Sequence, residues 1–141
     1  MLHLYNITLM LNRALETRRL HSNTHGQVVR EVMDHVTRKH ATVFAWVVMP
    51  DHIHLLFGRE KALADVDTFA GRVKRLINKA LTMRQLHKMR WRDGCVSYPV
   101  DLSNIAHAKD HILANPVRAG LASKPEDYAL AGAPEPLPKG A

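Results

Sequence analysis

This chain predicts an α+β fold: one antiparallel sheet covered by two helices in the ferredoxin-like split βαβ order, plus an appended C-terminal helix. Three observations lead there. Apolar residues change from alternation to helical spacing and back, in the order strand, helix, strand, strand, helix, strand. The two middle strand runs are joined by a Met49-Pro50-Asp51 turn, which makes them a hairpin. No segment repeats, and 141 residues at 46% hydrophobic are enough for one core and one domain.

Residues 4–11 alternate, with Ile7, Leu9 and Leu11 on one face and Thr8 and Met10 on the other. Ser22, Asn23 and Thr24 offer N-cap oxygens to a helix whose Val28, Val29, Val32, Met33 and Val36 recur at helical spacing until about His40. Residues 42–49 are β-branched and aromatic, hence a strand, and 52–57 pair with them. A second helix is expected over 65–89, burying Val66, Phe69, Val73, Leu76, Ile77, Ala80 and Leu81. Residues 95–100 contain Pro99 and suit only an edge strand or a strand that stops at the proline. Ser103 or Asn104 caps a third helix, which Asn115-Pro116 ends. The Pro/Ala/Gly-rich residues 129–141 read as a disordered tail behind a domain spanning 1–128.

Lys and Arg outnumber Asp and Glu by 20 to 13, which points to a polyanionic partner, nucleic acid first, or to a solvated basic face. The single Cys95 excludes an internal disulfide and a multi-cysteine zinc site, and it fits a reducing compartment. The start of the chain lacks a signal-peptide pattern, and no run reaches the roughly 18 apolar residues of a membrane span. The expectation is a soluble cytoplasmic protein with no membrane partner.

The sharpest feature is His52-Ile53-His54, just after the hairpin turn. Alternation puts both imidazoles on one face, where they can hold a metal ion or a phosphate. Ten histidines in the chain give roughly 0.6 such pairs by chance, so two strand histidines without a ligand are the rival reading. His107, His111 and Asn115 are spaced by four and share a helical stripe, which is a site or simply a solvent face. Lys74, Arg75, Lys79, Arg84 and Lys88 flank the second helix as a nucleic-acid surface or a solvated one. Trp91, between Arg90 and Arg92, either stacks on an unpaired base or is buried at a helix end. Asp51 should face away from both histidines, which leaves a water-activating phosphoesterase without its carboxylate base.

The segments AWVVMPDHIHLL (45–56), Trp91-x-x-Gly94, NPVRAGL (115–121) and Glu126-Asp127-Tyr128 span most of the chain. With them the chain resembles the single-tyrosine HUH transposases, in particular the REP-associated tyrosine transposases of bacteria. The resemblance implies a bacterial metal-dependent site in which His52, His54 and Asn115 hold Mg²⁺ or Mn²⁺. It also implies a tyrosine nucleophile four residues before Asn115, attacking a DNA phosphate to give a 5′-phosphotyrosine and a free 3′-hydroxyl. This chain has His111 at that position. Three outcomes stay open: DNA binding without cleavage, attack by His111 itself, or His111 as an extra ligand favouring Zn²⁺.

The implied partner is a short DNA hairpin with a single-stranded flank, met by Arg72, Lys74, Arg75, Lys79, Arg90, Trp91, Arg92 and Arg118. Monomer and homodimer are both open. Of the other tyrosines, Tyr5 lies on the first strand, and Tyr128 packs its ring with its hydroxyl in water. Tyr98, on the edge strand, could approach DNA, but nothing aligns it with the metal. A regulatory protein descended from a transposase and an RNA-binding ferredoxin-like domain are the competing readings.

Overall fold

The computed structural model describes residues 1–141, apart from the side chain of Asn23. Five strands form one antiparallel sheet in the order β4-β1-β3-β2-β5. They are β1 (His3–Met10), β2 (Thr42–Val48), β3 (His52–Arg59), β4 (Val96–Tyr98) and β5 (Ala131–Gly132). The helices are α1 (Asn23–Lys39), α2 (Val66–Met83), α3 (Ile105–Leu113) and the short α4 (Asn115–Arg118). No helix among the described residues is long and apolar enough to cross a membrane.

Strand alternation sorts the sheet into two faces. Ile7, Leu9, Ile53, Leu55 and Phe57 join residues of α1 and α2 in one core. Leu56, Phe44, Ala45 and Val47 join Ile105 and Ile112 of α3 in a second. A register shift between Val43 and Ala45 inserts one extra residue in β2. Phe44 and Ala45 therefore both serve the α3 side, while Val43 and Trp46 serve the other. His52 and His54 are in phase with Leu56, so they look towards α3 and away from α1 and α2.

Helix ends follow local chemistry. Asp65 caps α2, its carboxylate accepting from the Asp67 N–H at 2.9 Å and the Thr68 hydroxyl at 3.0 Å. The helix stops at Met83, short of the expected 89. Gln85 takes the left-handed region at φ 60°, while the Gln85 N–H donates to Thr82 O and the Leu86 N–H to Leu81 O. That is a Schellman closure built without glycine, so no sequence signal announced it. At α1 the N-cap is Ser22, but its hydroxyl donates to Arg19 O instead of capping.

The expected disordered tail is corrected. Trp46 pairs with Gly132 and Val47 with Ala131, while Leu130 and Leu137 pack on the two cores. Proline and glycine suit this segment because β5 is a two-residue edge strand. A Cβ at Gly132 would lie 2.5 Å from the Trp46 indole nitrogen.

Candidate functional site

His52 and His54 open β3 with their ring centroids 4.8 Å apart and nearly perpendicular. Each is held from behind. The Nδ1–H of His52 donates to Asp51 Oδ1 at 2.7 Å, and Arg13 holds the other carboxylate oxygen at 2.9 Å. Asp51 therefore does not face away from the pair, as strand alternation suggested; it belongs to the turn, where alternation does not apply. Burial alone would raise its pKa, but the His52 hydrogen bond and the charges of His52 and Arg13 hold it below the usual carboxylate range. A carboxylate has no proton to give, so Nδ1 carries the hydrogen, and in the neutral ring Nε2 keeps its lone pair.

His54 Nδ1 shares a 2.9 Å hydrogen bond with Thr8 Oγ1, its cross-strand neighbour. With the Thr8 hydroxyl accepting, Nε2 of His54 is also free. Burial, then the neighbouring charges of His52, His111 and Arg118, push the His54 pKa down to about 4. This imidazole is neutral near pH 7, as a metal ligand must be.

His54 opens onto a cleft of about 330 Å³ between β4 and α3, lined also by Asn6, Tyr98, Asn104, His107 and His111. The His107 and His111 rings lie 6.4 Å apart along α3. Asn115 is not among the cleft-lining residues; it begins α4 beyond a break at Ala114 and is half-buried. The Arg118 guanidinium donates to the His111 carbonyl at 2.8 Å, tying α4 back to α3. Among the described residues, no cluster of three or more His, Cys, Asp or Glu side chains is placed to hold a metal. The three-imidazole zinc arrangement through His111 is therefore not formed.

The expected DNA-binding residues separate into groups. Lys74 drops out: only 8% exposed, its ammonium donates to Arg92 O at 2.7 Å and to Gly94 O. Arg72, Arg75 and Lys79 are exposed, but α2 lies across the sheet from the histidines. Trp91 packs against the α1–α2 core, and its indole N–H donates to Asn78 Oδ1 at 3.4 Å, which favours the buried reading over base stacking. Arg90 is exposed near the loop carrying Glu16, which accepts from the Arg90 N–H at 2.9 Å. Arg92 reaches Met10, whose strand partner is His52. Arg92, Arg118 and the unforeseen Arg13 thus stand close to the pair.

Sequence reasoning also passed over Asn6, Thr8 and the position of Tyr98 beside the cleft, because β1 register is not readable from one strand. Of the other tyrosine hydroxyls, Tyr5 accepts from the Leu63 N–H at 2.8 Å. Tyr128 donates to Val48 O at 2.5 Å instead of reaching water.

The chain matches no protein-family model and no curated protein. Among solved structures, a REP-associated tyrosine transposase bound to a REP hairpin aligns with a TM-score of 0.70 and 21% identity, over 91% of this chain and 74% of that one. A candidate transposase from Deinococcus radiodurans R1 aligns with a TM-score of 0.55 and 15% identity, over 79% of this chain and 89% of that one. This chain has the transposase fold. At such identities the likeness carries architecture, and the chemistry must come from the residues just described. Within the transposase fold, the resemblance read from PDHIH and NPVRAGL falls on β3, which carries His54 into the cleft, and on α4, which follows the cleft helix α3.

Proposed function

We propose that this protein binds single-stranded hairpin DNA at the His52–His54 end of the sheet, and that it has lost the phosphotyrosine cleavage route of related transposases. The observation that carries this reading is the tethering of both imidazoles by Nδ1, to Asp51 and to Thr8. Such tethering fixes ring orientation and frees Nε2, which a pair of incidental strand histidines would not need.

The donor set fits a divalent ion. His54 is neutral, and His52 is held in orientation by the Asp51 carboxylate. His52 and His54 would hold Mg²⁺ or Mn²⁺, with the Asn115 amide as the proposed third ligand. When bound, such an ion polarises a phosphate oxygen and offsets its charge. The chain's own groups supply position. Arg92 and Arg118 neutralise neighbouring phosphates, and Asp51 keeps His52 from rotating. His111 offers no phenolic oxygen, so the family's nucleophile is missing from α3. A water-activating phosphoesterase has less support, because both Asp51 oxygens are already engaged by His52 and Arg13.

The test is a labelled DNA hairpin with a single-stranded flank, incubated with Mn²⁺ and either the native chain or His111→Tyr. Both proteins should bind, and only the variant should form a covalent adduct resistant to denaturing gel electrophoresis. An adduct with the native chain overturns the loss of cleavage. Absence of binding by both proteins overturns the DNA reading itself.

A further inference from the structure

The cleft between β4 and α3 holds a buried acceptor with nothing to accept from. Asn6 lines it from β1, and its Oδ1 is buried without a hydrogen-bond partner. The other amide of the cleft, Asn104, is committed, its Oδ1 accepting from the Asp101 N–H at 2.7 Å. A buried orphan acceptor is a standing cost in the free protein, and a donor that draws the amide round recovers it.

The wall beside Asn6 is aromatic and open. Tyr98 pairs with Asn6 across β1 and β4, so the two side chains share a face. Tyr98 is 47% exposed, a large value for an aromatic ring on a sheet. Unlike those of Tyr5 and Tyr128, its hydroxyl makes no hydrogen bond among the described residues. A cleft of about 330 Å³ is at the small end for ligand sites, suited to one nucleotide and too narrow for a duplex.

We propose that this cleft receives one unpaired nucleobase of the adenine or cytosine type, stacked on Tyr98 and read by the Asn6 amide. Those bases set an exocyclic amine beside a ring nitrogen. The pattern meets Asn6 Oδ1 with a donor and Asn6 Nδ2 with an acceptor. His54, in the same cleft, places the base next to the candidate phosphate site, so the pocket sets which nucleotide sits there. Thymine has no exocyclic amine and offers Oδ1 only its ring N3–H, set between two carbonyls. The inference rests on the DNA-binding reading and adds base selection to it.

The test compares two fluorescent single-stranded decamers by anisotropy. One is built of deoxyadenosine. The other is built of purine deoxyriboside, which lacks only the exocyclic amine and stacks alike. The native chain should bind the adenine strand at least about fivefold more tightly. Asn6→Ala, which removes the orphan along with the reader, should abolish the difference while keeping the fold, checked by circular dichroism. Tyr98→Ala should weaken both strands by about fivefold or more, and Tyr98→Phe should weaken neither. Equal affinity of the native chain for the two strands, or a preference surviving in Asn6→Ala, overturns the pocket while leaving DNA binding intact. Failure of either strand to bind overturns the pocket and the DNA reading together.

Discussion

Asp51 joins three elements through one carboxylate: the hairpin turn, His52 at the start of β3, and Arg13 after β1. Its role in the proposed site is to fix which nitrogen of His52 carries the proton. Asp51→Ala should therefore lower divalent-ion affinity by about 10- to 100-fold, the usual effect of removing such a partner. Calorimetric titration with Mn²⁺ reads the affinity, and nitrogen NMR of the His52 ring reads the tautomer. Unchanged values in both would remove Asp51 from the site. Cys95 makes a second prediction at this scale. Burial first, then the hydrogen bond and charge of Asp67, push its thiol up to about 11. A raised thiol pKa means less thiolate at a given pH. At pH 9 an ordinary thiol of pKa about 8.5 is about three-quarters ionised and Cys95 about 1%, so iodoacetamide should label it about seventyfold more slowly than a free cysteine. Labelling should recover as the pH rises through 11, and comparable rates at pH 9 would contradict the assignment.

Among the elements, α2 is the one whose reading from sequence was half right, for reasons visible in its residues. Its start near Asp65 and its buried stripe of Phe69, Val73, Ile77 and Leu81 follow from spacing alone. Its end does not, because Gln85 adopts a conformation usually left to glycine. Lys74 misled for a related reason. Charge and helical phase cannot reveal that the loop after α2 folds back to present the Arg92 and Gly94 carbonyls to its ammonium. Lys74 consequently holds structure together, its ammonium engaged by two backbone carbonyls. Lys74→Met removes the donor and strands two carbonyls, so thermal or urea unfolding should register a loss of about 1–3 kcal/mol. The salt dependence of DNA binding should not change in that variant, whereas removing a phosphate-neutralising cation would reduce its slope. The hairpin of β2 and β3 was legible because its apolar runs flank a Pro-Asp turn, and its histidine phase followed from alternation. The Thr8 and Asp51 partners were not, since one is set by cross-strand register and the other by turn geometry.

Across the whole molecule, the sheet divides the positive charge that composition reports as a single excess. Arg72, Arg75 and Lys79 lie on α2, on the face packed by α1. Arg92 and Arg118 lie beside the histidines, one reaching the end of β1 and the other bonded to the His111 carbonyl. Net charge alone gives the two groups equal weight, because a polyanion feels both at long range. Direct pairing is different, since each phosphate neutralised at the surface releases condensed counterions and adds to the salt slope. A hairpin seated at His52 and His54 can touch the second group without leaving that face. Reaching the first requires the strand to pass round the edge of the sheet. The double variant Arg92→Ala with Arg118→Ala should therefore lower the slope of log affinity against log salt by about 0.7 for each phosphate left unneutralised on single-stranded DNA. The triple variant Arg72→Ala, Arg75→Ala and Lys79→Ala should lower that slope much less than the double variant does, because its effect is confined to low salt, where long-range attraction is least screened. Fluorescence anisotropy across a series of KCl concentrations measures both variants in one format. A slope that falls in the triple variant and holds in the double one would move the DNA to the α1–α2 face and separate it from the histidine pair.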